Sequence, residues 1–371
     1  MIYHFIHTFV FMSNTFGELF RLSIFGDSHG KAMGGIIDGC LPGLVIDENK
    51  ILADLHRRKS GTTSFASARK EPDTFTLLSG ISQGKTSGGP IGFVIPNTDN
   101  RPADYQNLDN ISRPSHADFT YYAKYGSTES AGKLHASGRI FAPVVLAGAI
   151  AKQMLALYGI SVYAFVKQIG NISTPFSYKE IDPETIEQSP VRCPDKKATK
   201  EMLLLLDKLK KLGDSTGGII SGVVMGCPPG IGDPVFGKLQ AKLAQAMFSI
   251  NAVKGFEYGS GFSAAGMKGS EHNDLFVVKQ NRLHTATNNS GGIQGGISNG
   301  EDIYFSVAFK PVPGIKMKQK TVNRQAETVE FSTEGRHDIC FVPRAVPVVE
   351  ALTALVVADS FLKQQVYAEK Q

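Results

Sequence analysis

Apolar and polar side chains alternate along Phe20-Arg21-Leu22-Ser23-Ile24-Phe25, the pattern of a strand with one buried face. Residues 31–39 follow with Gly34, Gly35, Gly39 and the β-branched pair Ile36-Ile37, which disfavours helix and predicts a second strand. After Asp47, a predicted N-cap, the apolar period turns helical through residue 58 and delivers Arg57 and Arg58 to a loop. That loop, residues 59–73, mixes serine, threonine, glycine and charge, and is suited to closing over a ligand. Strands are predicted at 74–81 and 91–96, with a turn-rich stretch between them.

The run 140–158 is apolar, with Ala147-Gly148-Ala149-Ile150-Ala151 at its centre, and reads as a buried helix whose small residues permit close packing. Residues 174–200 are polar, charged and Pro-containing, and read as a surface insertion rather than a linker between domains. Helices are predicted at 202–212, closed by Gly213, at 235–250 and at 348–362, and a strand at 303–309. Gly217-Gly218-Ile219-Ile220-Ser221-Gly222, followed by Cys227-Pro228-Pro229-Gly230, echoes Gly34-Gly35-Ile36-Ile37-Asp38-Gly39, followed by Cys40-Leu41-Pro42-Gly43. This is either chance similarity of Gly-rich hairpins or the mark of two related halves packed as one domain.

Composition narrows the class. The 371 residues are 42% hydrophobic, enough for a large core, and the net charge of +5 comes without the basic runs of a nucleic-acid arm. The balance suits anionic small molecules and predicts no nucleic-acid partner. Cys40, Cys193, Cys227 and Cys340 are scattered, with no C-x-x-C pair, which predicts a reducing, cytoplasmic setting and no metal site. Residues 1–11 are apolar but lack a basic n-region and a cleavage pattern, and are too few for a membrane span. They read as a disordered upstream extension, the main chain starting at Met12; no membrane association is expected.

Candidate chemistry lies in polar clusters at element ends. Gly26-Asp27-Ser28-His29-Gly30 closes the first strand. Taken alone it is either a tight turn or a ligand-facing loop. Gly26-x-Ser28-x-Gly30 also matches the nucleophile elbow of serine hydrolases, but that motif requires a helix directly afterwards, and a strand is predicted there. Arg113-Pro114-Ser115-His116-Ala117-Asp118 is a solvated, Asp-capped loop or a site; His135, Ser137 and Arg139 precede the apolar helix, whose N-terminus suits an anion. The Gly/Asn/Ser-rich stretch 288–300 is a flexible linker or a backbone cradle for an anionic or planar ligand, and is not a dinucleotide fingerprint. Gly335-Arg336-His337-Asp338 and Arg344 precede the last helix, where Asp338 is an N-cap or a site residue.

Together these clusters resemble the chorismate synthase family, from about residue 12 to residue 362. The resemblance rests on the 26–30 and 113–118 motifs, on Ser249-Ile250-Asn251-Ala252-Val253-Lys254-Gly255, on residues 290–298 and on Gly335-Arg336-His337-Asp338, in that order along the chain. It implies an α+β fold with central helices sandwiched between antiparallel β-sheets in two similar halves, a single catalytic domain over 12–365 and a homotetramer. It implies a carbon–oxygen lyase that converts 5-enolpyruvylshikimate 3-phosphate to chorismate by 1,4-anti elimination of phosphate, using reduced FMN with no net redox change.

By the same resemblance Arg58, Arg113, Arg139 and Arg344 bind substrate anions, for which planar guanidinium forks are suited. His116 is the proton donor to the leaving phosphate, His29 supports the anionic reduced flavin, and Asp338, aided by Ser28 and Ser137, helps flavin N5 take the proton from carbon. Flavin contacts fall on His135, Ala136, Ser137, Asn251, Ala252, Gly295, Lys310, Pro311, Val312, Pro313, Gly314 and Arg336. No further nucleotide-binding module is visible, so an external flavin reductase is expected. The chain departs from the family's usual motifs at Asp27 (usually Glu), at His135 (usually Arg), at Ile140 (usually Glu) and at Ile339 (usually Pro). A serine hydrolase and an NADPH-dependent flavin oxidoreductase are the competing activities.

Overall fold

The alternating segment at the start is a strand, and the chain pairs it at once with the glycine-rich one. The computed structural model describes residues 14–59, 65, 71–99, 111–126, 135–333 and 338–368; the predicted extension 1–11 lies outside them. In chain order the first half contains β1 (Thr15–Phe16), β2 (Arg21–Gly26), β3 (Ala32–Asp38), α1 (Glu48–Arg58) and β4 (Thr76–Leu77). The hairpin β5–β6 (Ile81–Ser82, Lys85–Thr86), β7 (Ile91–Pro96), β8 (Ile111–Ser112), α2 (Asp118–Tyr125) and α3 (Ala142–Ala156) follow. The second half begins with β9 (Ser161–Ile169), β10 (Ile172–Ser173), α4 (Lys196–Leu212), β11 (Gly218–Met225), α5 (Leu239–Phe248) and β12 (Val253–Tyr258). Short α6 (Gly269–His272) and the hairpins β13–β14 (Phe276–Lys279, Arg282–Thr285) and β15–β16 (Ile293–Gln294, Ile297–Ser298) lead to β17 (Ile303–Phe309). The hairpin β18–β19 (Gln319–Asn323, Thr328–Phe331) precedes the long α7 (Val342–Ala368).

The two halves share one topology. Antiparallel sheets run β2-β3-β7-β4 and β9-β11-β17-β12, and in each half the chain goes strand, strand, helix, edge strand, central strand, helix. The echoed glycine motifs therefore fall in equivalent central strands, β3 and β11, although out of register. A physical reason for glycine recurs in both. Gly35 sits opposite Phe93 and Gly222 opposite Phe305, and a Cβ on either glycine would lie 2.8 Å and 2.3 Å from the facing ring. Both rings are fully buried.

The halves stack as sheet, helix, helix, sheet. α3 packs on β2, β3 and β7, α7 on β9 and β11, and α3 and α7 on each other. Their contact is close because Gly148 lacks a side chain: a Cβ there would lie 2.3 Å from Ala351 Cβ. Residues 138–156 and 342–367 are long and apolar enough to cross a membrane, but their apolar windows are 83% and 100% buried inside the protein, as core helices.

Local signals placed several elements at their observed bounds: β7, β17 and α1, whose N-cap Asp47 accepts from Asn49 N at 3.0 Å. Five readings need correction, the first being the last helix, which starts at Val342 rather than at 348. The strand predicted at 74–81 is cut to Thr76–Leu77, because Gly80 turns in the left-handed region against Ile91. The 202–212 helix starts earlier, at Lys196, where Asp195 caps Lys197 N and Ala198 N. The helix predicted at 235–250 is a short turn at Val235–Gly237 followed by α5. The supposed surface insertion 174–200 is partly interior: Ile181 and Ile186 pack with Phe165 and Val223, and Val191 and Cys193 are buried.

Gly148→Ala should destabilise the protein by about 1–3 kcal/mol through overpacking, although alanine is the better helix former by roughly 1 kcal/mol. Adding Ala351→Gly should restore much of the loss. Urea midpoints of the single and double variants check this, and a single variant as stable as the parent would refute the contact's importance.

Candidate active site

Three helix ends meet. Arg58 is the last residue of α1, Arg139 lies in the 3-10 turn Gly138–Phe141 that leads into α3, and Arg344 lies in the first turn of α7. Arg58 and Arg139 donate to opposite oxygens of one buried carboxylate, Asp73, and Arg344 Nε donates to the Arg58 carbonyl at 3.2 Å. Burial, with Arg139 and Arg344 close by, pulls Arg58 below the usual arginine range against the opposing effect of Asp73. Burial works to raise the Asp73 pKa, but the two guanidiniums hold it below the ordinary carboxylate value. Asp73 also adopts a left-handed backbone, φ 53°, uncommon for a residue with a side chain. Arg58 Nε is buried with no hydrogen-bond partner among the described residues, which leaves a donor for an incoming anion.

The 26–30 loop borders this cluster. Ser28 is fully buried and its hydroxyl donates to Ser137 Oγ at 3.0 Å, while Ser137 caps the turn carrying Arg139 by accepting from Arg139 N at 3.3 Å. Asp27 Oδ1 and His135 Nε2 face each other at 3.4 Å, so two departures from the usual motif form one contact. Both ring nitrogens of His29 are buried. A strand, β3, follows the loop, as expected, so the serine does not stand on a nucleophile elbow. Asp338 stands four residues ahead of α7, and its carboxylate holds Arg344 Nη1 at 2.5 Å.

His116 forms a second centre with Arg113 and Asp118. Arg113 grips Asp118 through Nε at 2.6 Å and Nη2 at 2.8 Å, and His116 Nδ1 lies 3.0 Å from Arg113 Nη2 and 3.1 Å from Asp118 Oδ1. The imidazole can thus accept from the guanidinium when neutral or donate to the carboxylate when protonated. Burial lowers its pKa from the ordinary histidine value, Asp118 opposes this, and Arg113 adds to the lowering. Lys310 Nζ donates to the Ser115 carbonyl at 2.5 Å and ties this loop to the end of β17. Phe341 lies against Gly138, near the Phe309 ring at 6.4 Å and under Arg344 at 5.7 Å, between the arginine cluster and the end of β17.

Several flavin candidates gather beside it. Lys310 N donates to Ala252 O at 2.9 Å, and Ala252 has a left-handed backbone, φ 73°. Asn251 Nδ2 is buried without a hydrogen-bond partner among the described residues, a donor that fits a ligand with acceptor groups. The Val312 carbonyl accepts from Ser215 Oγ at 2.7 Å and the Ile339 carbonyl from Thr216 N at 3.0 Å, so one loop holds segment 310–314 next to Asp338. Gly295 stands apart: the hairpin turn it opens is anchored at the N-terminus of α5 through Leu239 N and Gly296 O, whereas Asn251 follows that helix's C-terminus, about 15 Å away by helix rise. Arg336 lies outside the described residues.

Sequence reasoning missed Asp73, Asn97 and Arg192, lone polar residues with no motif around them. Arg192 Nη1 donates to Pro343 O at 2.6 Å and Nη2 to Arg57 O at 2.9 Å, the carbonyls just before Arg344 and Arg58.

Comparison with known proteins agrees with this architecture. A family model described as chorismate synthase matches residues 20–362. A chorismate synthase of Christiangramia forsetii is 51% identical over 352 residues, covering 95% of this chain and 98% of the relative. One of Parabacteroides distasonis is 50% identical over 352 residues with the same coverage. A chorismate synthase crystal structure superposes with a TM-score of 0.75 at 29% identity, over 94% of this chain and 93% of its own. The chain belongs to the chorismate synthase family and is a lyase of the shikimate pathway.

Proposed function

We propose that residues 12–365 form one catalytic domain in which the arginines and histidines described above carry out the phosphate elimination from 5-enolpyruvylshikimate 3-phosphate, with reduced FMN as the flavin. The observation that carries the residue assignment is the meeting of Arg58, Arg139 and Arg344 at three helix ends, with Arg58 Nε left as a buried donor. A substrate with two carboxylates and a phosphate needs such a set, because guanidiniums bind these groups through fixed forks and stay charged when buried. Arg113 supplies a further cation next to His116.

His116 gives the departing phosphate its proton. In the protonated ring Nδ1–H is held by Asp118, which leaves Nε2–H for the phosphate oxygen. Reduced FMN supplies transient electron density and a base to the allylic system when bound. Asn251, Ala252, Lys310, Pro311, Val312, Pro313 and Gly314 would hold it together with His135, Ala136 and Ser137, and Gly295, at the opposite end of α5 from Asn251, would join them by resemblance. Arg336 belongs to the same set by resemblance. Asp338, aided by Ser28 and Ser137, would help flavin N5 take the proton from carbon, and His29 would support the anionic reduced ring. The chain relies on an external flavin reductase, assembles as a homotetramer and works in the cytoplasm.

Anaerobic incubation of the protein with substrate and dithionite-reduced FMN should release phosphate and raise the absorbance of chorismate without consuming NADPH. A folded, flavin-loaded protein that does neither would overturn the reading, and stoichiometric NADPH oxidation would favour an oxidoreductase. His116→Ala should lower kcat by about 10²–10⁴-fold with substrate binding largely kept. Because an acid acts in its protonated form, kcat/KM of the parent should fall as pH rises through an inflection displaced below the ordinary histidine value, and His116→Ala should remove that inflection. Arg58→Ala should raise KM by about 10- to 100-fold, the worth of a charge-assisted hydrogen bond. An unchanged KM would remove Arg58 from the binding set.

A further inference from the structure

One side chain touches both the 26–30 loop and the cation cluster. Asn97 follows β7 directly, and its amide makes three hydrogen bonds: Nδ2 to Asp27 O at 3.1 Å and to Gly30 O at 2.9 Å, and Oδ1 from Arg139 Nε at 2.6 Å. The orientation of the amide follows from chemistry, since a guanidinium only donates and a carbonyl only accepts. The two carbonyls stand at either end of the segment that holds Ser28 and His29, so the amide spans the loop like a strut. Its platform is firm. Ile91, Phe93 and Ile95 of β7 are fully buried, Asn97 N donates to Lys31 O at 3.0 Å, and Pro96 O accepts from Arg139 Nη2 at 3.3 Å.

We propose that Asn97 is a positioning residue for the elimination, locking the loop that carries Ser28 and His29 to Arg139 so that the flavin-side and substrate-side groups hold one fixed separation. Its two functions are chemically separable. The donor half fixes the loop, and its loss lets Ser28 and His29 drift from the reacting centre, which costs rate. The acceptor half fixes the Arg139 fork alongside Asp73, and its loss costs substrate binding. Asn97→Asp keeps an acceptor for Arg139, strengthened by charge, but turns an oxygen toward two carbonyl oxygens. Asn97→Ala removes both halves.

The inference rests on the proposed function, and the parent enzyme assayed alongside separates the two: a parent that makes no chorismate fails that reading, not this one. Anaerobic kinetics with reduced FMN should show kcat reduced by at least tenfold in both variants. Calorimetric titration with 5-enolpyruvylshikimate 3-phosphate, which needs no turnover, should show Kd within threefold of the parent for Asn97→Asp and at least tenfold weaker for Asn97→Ala. A structural residue would give no such split. The proposal is overturned if folded Asn97→Ala retains kcat within twofold of the parent, if Asn97→Asp weakens binding as much as Asn97→Ala does, or if neither variant folds. Should Asn97→Asp alone fail to fold, Asn97→Ala with lowered kcat and weakened binding supports the coupling, and lowered kcat with parental binding refutes it.

Discussion

The close approach of α3 and α7 at Gly148 and Ala351 is the constraint from which the rest of the molecule follows. Each helix covers one five-stranded sheet, and their mutual contact joins the two sheets into one body. α1 packs against both. Helices packed this tightly have few ways to end, and the C-terminus of α1 meets the N-termini of α3 and α7. The residues placed at those three ends are arginines, so the packing that stabilises the core also concentrates positive charge at its edge. Duplication explains the economy of the design: the same strand and helix order, used twice, brings two like helices face to face.

Concentrated positive charge is costly in a protein interior, by several kcal/mol for each unpaired ion. The chain meets that cost with carboxylates held at fixed places: Asp73 between Arg58 and Arg139, Asp118 on Arg113, and Asp338 on Arg344. None of these acids needs to touch a ligand to matter. Asp73 sets the angle between two forks, and its left-handed backbone indicates that the surrounding packing over-determines its position. Asp118 does more, because it also favours the protonated form of His116 and so limits the lowering that burial and Arg113 impose on the ring. The electrostatics of the site are therefore those of paired ions with a few donors left over, of which Arg58 Nε and Asn251 Nδ2 are the clearest.

Much of this was legible in the sequence where a local cause decides the outcome. Alternation gave β17 its bounds and a capping aspartate gave α1 its start. The chemistry-bearing motifs could be picked out because they are short and dense; that Ser28 meets Ser137, and that His116 lies between Arg113 and Asp118, only the fold shows. Asp73 and Asn97 were not legible. Each is a single polar residue in a loop or at a strand end, and each gains its meaning from Arg139, 66 and 42 positions away. No periodicity or propensity reports a contact of that kind. The register of the internal echo failed for a related reason: the glycines that correspond physically, Gly35 and Gly222, are selected by the phenylalanines opposite them, not by their sequence neighbours.

The last helix shows how far such a long-range contact can reshape a local rule. A proline inside a helix removes one N–H and leaves the carbonyl four residues earlier without its donor, which ordinarily ends or kinks the helix there. Reading the sequence locally therefore starts the last helix after Pro347. The structure runs α7 from Val342 through Pro347, and the orphaned carbonyl is that of Pro343. Arg192, from the stretch that looked like a surface insertion, fills the gap by donating Nη1 to it, while its Nη2 takes the Arg57 carbonyl at the C-terminal end of α1. One guanidinium thus satisfies two helix ends at once and fixes the backbone immediately before Arg344 and Arg58. The extra turn of α7 that it sustains is the turn that carries Arg344, so a residue of the second half fixes the backbone beside two cations of the cluster, Arg344 and Arg58.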